Sequence, residues 1–217
     1  MKVSKRTLII TSILILLPIV FGLLMWEQLP DPMPTHFGTD GQADGWSPKS
    51  FAVFGLPLIF LVVHLICIFA STSDPKSKNY SEKLFGIIVW LCPVLSIFAE
   101  GMTYAYALGY TMNMTKYVMM FVAVLFIVIG NYLPKCRHNY TMGVKLPWTL
   151  ADENNWNATH RVAGYVWIIG GMVMLINAFF FHMGIFLGVT VVMVLIPTVY
   201  SYMYYRKHGV AEKREEE

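Results

Sequence analysis

Within LPWTLADENNWNATHR, residues 146–161, Asp152, Trp156 and His160 recur every four residues, and Glu153, Asn157 and Arg161 form a second stripe beside them. On a helix this spacing puts an acid, an indole and an imidazole on one face and an acid, an amide and a guanidinium on the next. An acid and a histidine in register are the material of general acid–base chemistry. The other parts of a catalytic site are absent from the sequence. No nucleophile is spaced to pair with a base, and neither H-E-x-x-H nor G-x-S-x-G occurs. His138 and His160 stand far apart with no third evident ligand. The cluster therefore reads either as a folded recognition face or as a positively charged membrane anchor with belt aromatics, and no catalytic role, metal or cofactor is assigned to it.

A second polar cluster is EQLPDPMPTHFGTDGQADGWSPKS, residues 27–50. Pro30, Pro32 and Pro34 at alternate positions predict an extended, polyproline-II path, and Gly38, Gly41 and Gly45 predict tight turns after it. Ser47-Pro48 reads as the N-cap and first residue of a helix. His36, Phe37, Asp40, Asp44 and Trp46 would present an acidic, aromatic recognition surface. The stretch DGQADG fits a calcium loop at its first, fifth and sixth positions. Gln42 and Phe51 occupy the third and twelfth, which a calcium loop fills with Asp or Asn and with Glu. A metal on Asp40 and Asp44, with or without His36, is accordingly not assigned.

The surrounding chain says where these clusters sit. Of its 217 residues 56% are hydrophobic and 13% charged, about half the charge of a soluble domain. Six apolar runs are long enough to cross a bilayer, near 8–26, 51–71, 84–107, 117–133, 162–181 and 184–205. The first begins like a signal peptide, but it is too long and lacks a small-residue cleavage site, so it reads as a retained span. The fold class is thus an all-α integral membrane protein of six transmembrane helices, multi-pass in a cytoplasmic membrane. Lys and Arg cluster in the N-terminal segment (Lys2, Lys5, Arg6), at 76–83, at 135–161 and in the tail, leaving Lys49 and Lys116 on the other side. That bias predicts cytoplasmic termini and an extracellular loop 27–50. The net charge of +3 is spent flanking spans, which argues against direct nucleic-acid binding.

Three spans make each half: 1–115 with the Pro/Gly-rich loop 27–50, and 116–217 with the cytoplasmic loop 134–161 and the charged tail HGVAEKREEE, read as a solvated end. Both loops open on Leu-Pro, at Leu29-Pro30 and Leu133-Pro134, which suggests 3+3 inverted halves. In the second loop Gly143 supplies a turn and Thr149 reads as an N-cap before Asp152 and Glu153. The helix is expected to run unbroken into the fifth span, projecting polar groups below the membrane with its Trp residues at headgroup depth. Glu100 is the only acid inside a span, with Ser96, Thr103 and Tyr104 on its face; His64, the other titratable group, lies at a different depth. Asn131 and Asn177 read as hydrogen bonds between helices, and Cys67, Cys92 and Cys136 as small buried hydrophobes.

The stretch GNYLPKCRHNYTMGVKLPWTL (130–150), followed by Trp156, Thr159-His160-Arg161 and Gly164, resembles the cytoplasmic signature of the SdpI family, bacterial membrane immunity proteins against the SDP peptide toxin. LPDPMPTHFGTDGQADGWSPK in the first loop resembles the extracellular segment of that family. Lys145 departs from the pattern, where Arg is expected; it keeps the charge and loses the bidentate fork. The resemblance implies protection of a producer cell from a secreted, membrane-active peptide. It also implies signalling, in which the toxin-engaged protein holds a cytoplasmic transcriptional repressor at the membrane. The toxin would be met outside by His36, Phe37, Asp40, Asp44, Trp46 and Glu100. The repressor would dock inside, on a motif of Asn131, Pro134, Lys135, Asn139, Gly143, Lys145, Pro147, Trp148, Thr149, Trp156, Thr159, His160 and Arg161. The alternative reading is a small proton-coupled transporter or exporter using Glu100.

Overall fold

The computed structural model describes residues 3–80, 82–110 and 112–215, with side-chain environments through residue 208. Its elements run α1 (Lys5–Leu24), β1 (Met33–Phe37), β2 (Ala43–Ser47), a π-helical turn (Phe51–Gly55) leading into α2 (Leu56–Ser73), α3 (Glu82–Ala107), α4 (Met114–Tyr132), α5 (Pro147–Ala151), α6 (Glu153–Asn177) and α7 (Met183–Glu215). Among the described residues six helical stretches are long and apolar enough to cross a membrane: Lys5–Leu24, Phe51–Ser73, Glu82–Ala107, Met114–Lys135, Glu153–Asn177 and Met183–His208. All six expected spans are present. Lys2 and the side chains of the tail from residue 209 lie outside the described residues.

The chain divides into two compact units, 1–73 with 85–115, and 74–84 with 116–217. In the first, polar side chains tie α1 to its neighbours at sites that lipid cannot solvate. Thr11 hydrogen-bonds His64 on α2 at 2.9 Å, Ser96 on α3 donates to the Ile15 carbonyl, and Tyr104 donates to that of Pro18. The partner of His64 is therefore Thr11. Lys49, one of the two isolated cations of the sequence, ties down the turn that follows α1. Its Nζ donates to the carbonyls of Trp26 and Leu29 at 3.0 and 2.9 Å, just beyond the C-terminal end of α1.

The expected polyproline path of loop 27–50 is replaced from Met33 by an antiparallel hairpin, with Met33 opposite Ser47 and Pro34 opposite Trp46. The ladder is irregular at His36, where Gly45 leaves room for the His36 Cβ. Ser47 does not cap a helix; its hydroxyl pairs with Thr35 across the hairpin at 2.8 Å. The carbonyl of Pro48 accepts the first helical hydrogen bonds, from Phe51 and Ala52, so the start lies one residue later than expected.

In the second unit α4 and α6 meet closely. A side chain at Gly164 would overlap Pro134, and one at Gly130 would crowd Trp167 and the Ile168 backbone. Small residues of this kind let membrane helices approach. Two expectations fail here. Thr149 is not the N-cap of the fifth span, and the helix is not continuous through it. The chain turns extended at Asp152 (φ −130°, ψ 117°), whose carboxylate accepts from Asn154 N–H at 2.7 Å and starts α6. Nor do the two asparagines join helices: Asn177 donates to the His182 carbonyl in the turn after its own helix, and Asn131 is exposed.

Candidate functional site

The segment 133–161 folds into a polar cap built around Trp156 and His160, which are buried rather than projecting. Trp156 donates its indole N–H to the Cys136 carbonyl at 2.8 Å and stacks on His160 with ring centroids 4.1 Å apart. His160 donates from Nδ1 to the Trp156 carbonyl at 2.7 Å and accepts at Nε2 from Val144 N–H at 3.0 Å. Those two bonds suit a neutral imidazole with its proton on Nδ1, and they occupy both ring nitrogens. Asn139, fully buried, shapes the preceding turn: its oxygen accepts from the N–H groups of Thr141 and Met142, and its amide donates to the Arg137 carbonyl. Gly143 completes the turn at φ +106°. Burial pushes the Cys136 thiol up to about 11, although an Asn139 hydrogen bond works against it.

Pro147 opens α5, and Thr149 serves this short helix from within, its hydroxyl accepting from Leu146 N–H and donating to the Val144 carbonyl. Trp148 reaches α7, donating to Ser201 Oγ at 2.9 Å and packing against Tyr202 and Tyr205. Thr159 donates to Asn155, whose amide donates to the Ser201 carbonyl. Of the expected stripes, Glu153, Asn157 and Arg161 are exposed, as are Pro134, Lys135 and Lys145. Lys145 donates to the Thr141 carbonyl.

The anchor of this cap carries no signature in the sequence. Asp74, buried in the loop after α2, accepts from Tyr80 Oη at 2.6 Å, Tyr140 N–H at 2.9 Å, Thr141 Oγ1 at 2.8 Å and Lys76 N–H at 2.7 Å. Burial pushes its carboxyl up, but the four hydrogen bonds outweigh this and hold it below the ordinary value. Lys76 and Asn79 reach His138, at Nδ1 and the carbonyl respectively. Asp74-Pro75 carries a turn signal, yet nothing local marks partners more than sixty residues away.

In the other unit, the hairpin is a supported platform. Phe37 packs edge-on against Tyr106 with centroids 5.0 Å apart, and Tyr106 also hydrogen-bonds Gln42 and Ala43 N–H at the turn. Asp40 holds the turn by accepting from Gln42 N–H. His36 and Asp44 pair at 2.5 Å with mostly exposed side chains, and Trp46 is 53% exposed. Among the described residues no three His, Cys, Asp or Glu side chains converge as metal ligands. Glu100 is 1% exposed, and among the described residues neither carboxyl oxygen has a hydrogen-bond partner. Ser96 and Tyr104, on its face, spend their hydroxyls on α1. An apolar groove of about 420 Å³ lies between α1 and α3, lined by Leu17, Phe21, Ile97 and Tyr104 among others.

Six apolar helices bearing a tethered hairpin and a buried polar cap define a multi-pass α-helical protein of the bacterial cell membrane. Residues 135–201 match the SdpI/YfhL protein family, in agreement with the resemblance seen in the sequence. Residues 13–61 match a second family, a domain of unknown function (DUF1648). Immunity protein SdpI of Bacillus subtilis (strain 168) is 26% identical over 202 residues, covering 92% of this chain and 96% of that one. No solved structure matches the chain.

Proposed function

We propose that the chain is a membrane immunity protein that protects its cell from a secreted peptide toxin. The observation that carries this reading is the similarity to immunity protein SdpI, which runs through 92% of the chain and so includes both polar segments. The Lys and Arg bias supports cytoplasmic termini with the hairpin outside. On that orientation the toxin meets His36, Asp40, Asp44 and Trp46 on a hairpin held by Tyr106, and the apolar groove of the same unit accepts its hydrophobic part. The cap at 134–161 then faces the cytoplasm, where Lys135, Lys145, Glu153 and Arg161 are exposed to dock a transcriptional repressor.

The test is survival of a sensitive bacterium under SDP-type toxin, with membrane levels of each variant checked. The protein is expected to protect, and Asp44→Ala or Trp46→Ala to reduce protection at unchanged levels. No protection from the well-expressed, unaltered chain would overturn the reading. The unpartnered carboxyl of Glu100 favours a second reading, a small proton-coupled transporter. That reading requires Glu100→Gln to abolish a pH-dependent flux in proteoliposomes, with hairpin variants only weakening it.

A further inference from the structure

A cleft of about 670 Å³ opens in the second unit, where the loop before α3 faces the end of α4 and the first turns of α6. Lys78, Lys83, Lys135 and Arg137 line it, against the single acid Glu82. All four cations are exposed, and none is in a salt bridge among the described residues. Lys135 lies with its Nζ 4.9 Å from the ring centroid of Tyr132, which gives the cleft an aromatic wall beside its charge. The lining comes from the ends of spans: Glu82 begins the third, Lys135 ends the fourth, and Asn157 lies in the opening turns of the fifth. Such a position is the level of lipid headgroups, on either leaflet assignment.

We infer that this cleft binds the phosphate-bearing headgroup of an anionic phospholipid. Converging, unneutralised cations supply the charge, and a basic pocket at helix ends on the membrane surface is the setting in which anionic headgroups are held. The concave shape and modest volume fit a headgroup better than a protein element. Tyr132 and Pro134 offer an apolar flank for the start of the acyl chains. The inference does not depend on the immunity reading.

The test uses the purified full-length chain in neutral detergent micelles, following its thermal unfolding midpoint with added phosphatidylglycerol, phosphatidylcholine or inorganic phosphate. Phosphatidylglycerol is expected to raise the midpoint by a few degrees, and the other two to leave it in place. The double variant Lys135→Gln/Arg137→Gln should lose the gain. Arg206→Gln/Lys207→Gln, which removes two exposed cations outside the cleft, should keep it. Each replaced group is exposed, and the gain is read for every variant against its own midpoint without lipid. An equal gain with phosphatidylcholine, the same gain with inorganic phosphate, a gain that survives the cleft variant, or its loss in both variants would overturn the assignment.

Discussion

Gly143 lies against the imidazole of His160: a side chain there would overlap Nε2, the atom that accepts from Val144 N–H. Its φ of +106° is itself a conformation that residues with a Cβ rarely adopt. Gly143→Ala therefore meets two penalties at once, backbone strain and displacement of a buried hydrogen-bonded ring. The expected cost is about 2–4 kcal/mol, read as a lower thermal midpoint in detergent. A midpoint equal to wild type would show that the turn and His160 are not packed as described.

Trp156 separates packing from hydrogen bonding. Trp156→Phe keeps much of the buried ring but leaves the Cys136 carbonyl without its indole donor, at about 1–3 kcal/mol. Trp156→Ala also opens a cavity beneath His138 and His160, at about 3–5 kcal/mol. Denaturant unfolding should rank wild type above Phe above Ala; equal losses in the two variants would mean that the hydrogen bond carries the whole effect.

Asp74 makes the cap sensitive to acid. Its folded-state pKa is depressed, so its contribution is present above the unfolded value and disappears as pH falls through the folded one. Asp74→Asn would set an amide against donors that now share one carboxylate oxygen, costing about 2–4 kcal/mol at neutral pH. The midpoints of wild type and variant should converge as pH drops below about 4. A constant gap down to strongly acid pH would contradict the hydrogen-bonded carboxylate.

Cys136 should be chemically quiet. With its thiol pushed up to about 11 and its side chain buried, roughly a thousandth is thiolate at pH 8. Iodoacetamide should modify it slowly in the folded protein and quickly after unfolding, as followed by peptide mass spectrometry. Rapid modification in the folded state would mean that the cap opens.

Glu100 tests whether stability has been given up for function. Replacing its unpartnered, buried carboxyl with the similar volume of Met should raise the thermal midpoint, since an unpaired polar group inside a span costs about 2–4 kcal/mol. Protection from toxin that falls while the midpoint rises would tie Glu100 to activity. A lower midpoint in Glu100→Met would instead reveal a stabilising partner.

The amino-acid sequence by itself determined the six spans, because span length and apolarity are local quantities set by bilayer thickness. It also located both polar segments, the need for glycine at 143, and the family signature. Boundaries governed by single hydrogen bonds were less legible. Thr149 and Asp152 both look like N-caps, and only the folded chain assigns Thr149 to α5 and Asp152 to α6. The hairpin was hidden because alternate prolines argue for an extended path, while its placement depends on Met33 packing into a buried cluster and on Tyr106 reaching the turn from α3. Trp156 and His160 have the helical spacing of an exposed face, yet they are buried because Asp74, Asn139 and Ser201 arrive from distant parts of the chain to build the cap around them. Spacing along a helix shows which side chains share a face; what covers that face is decided by long-range packing, for which no local pattern exists.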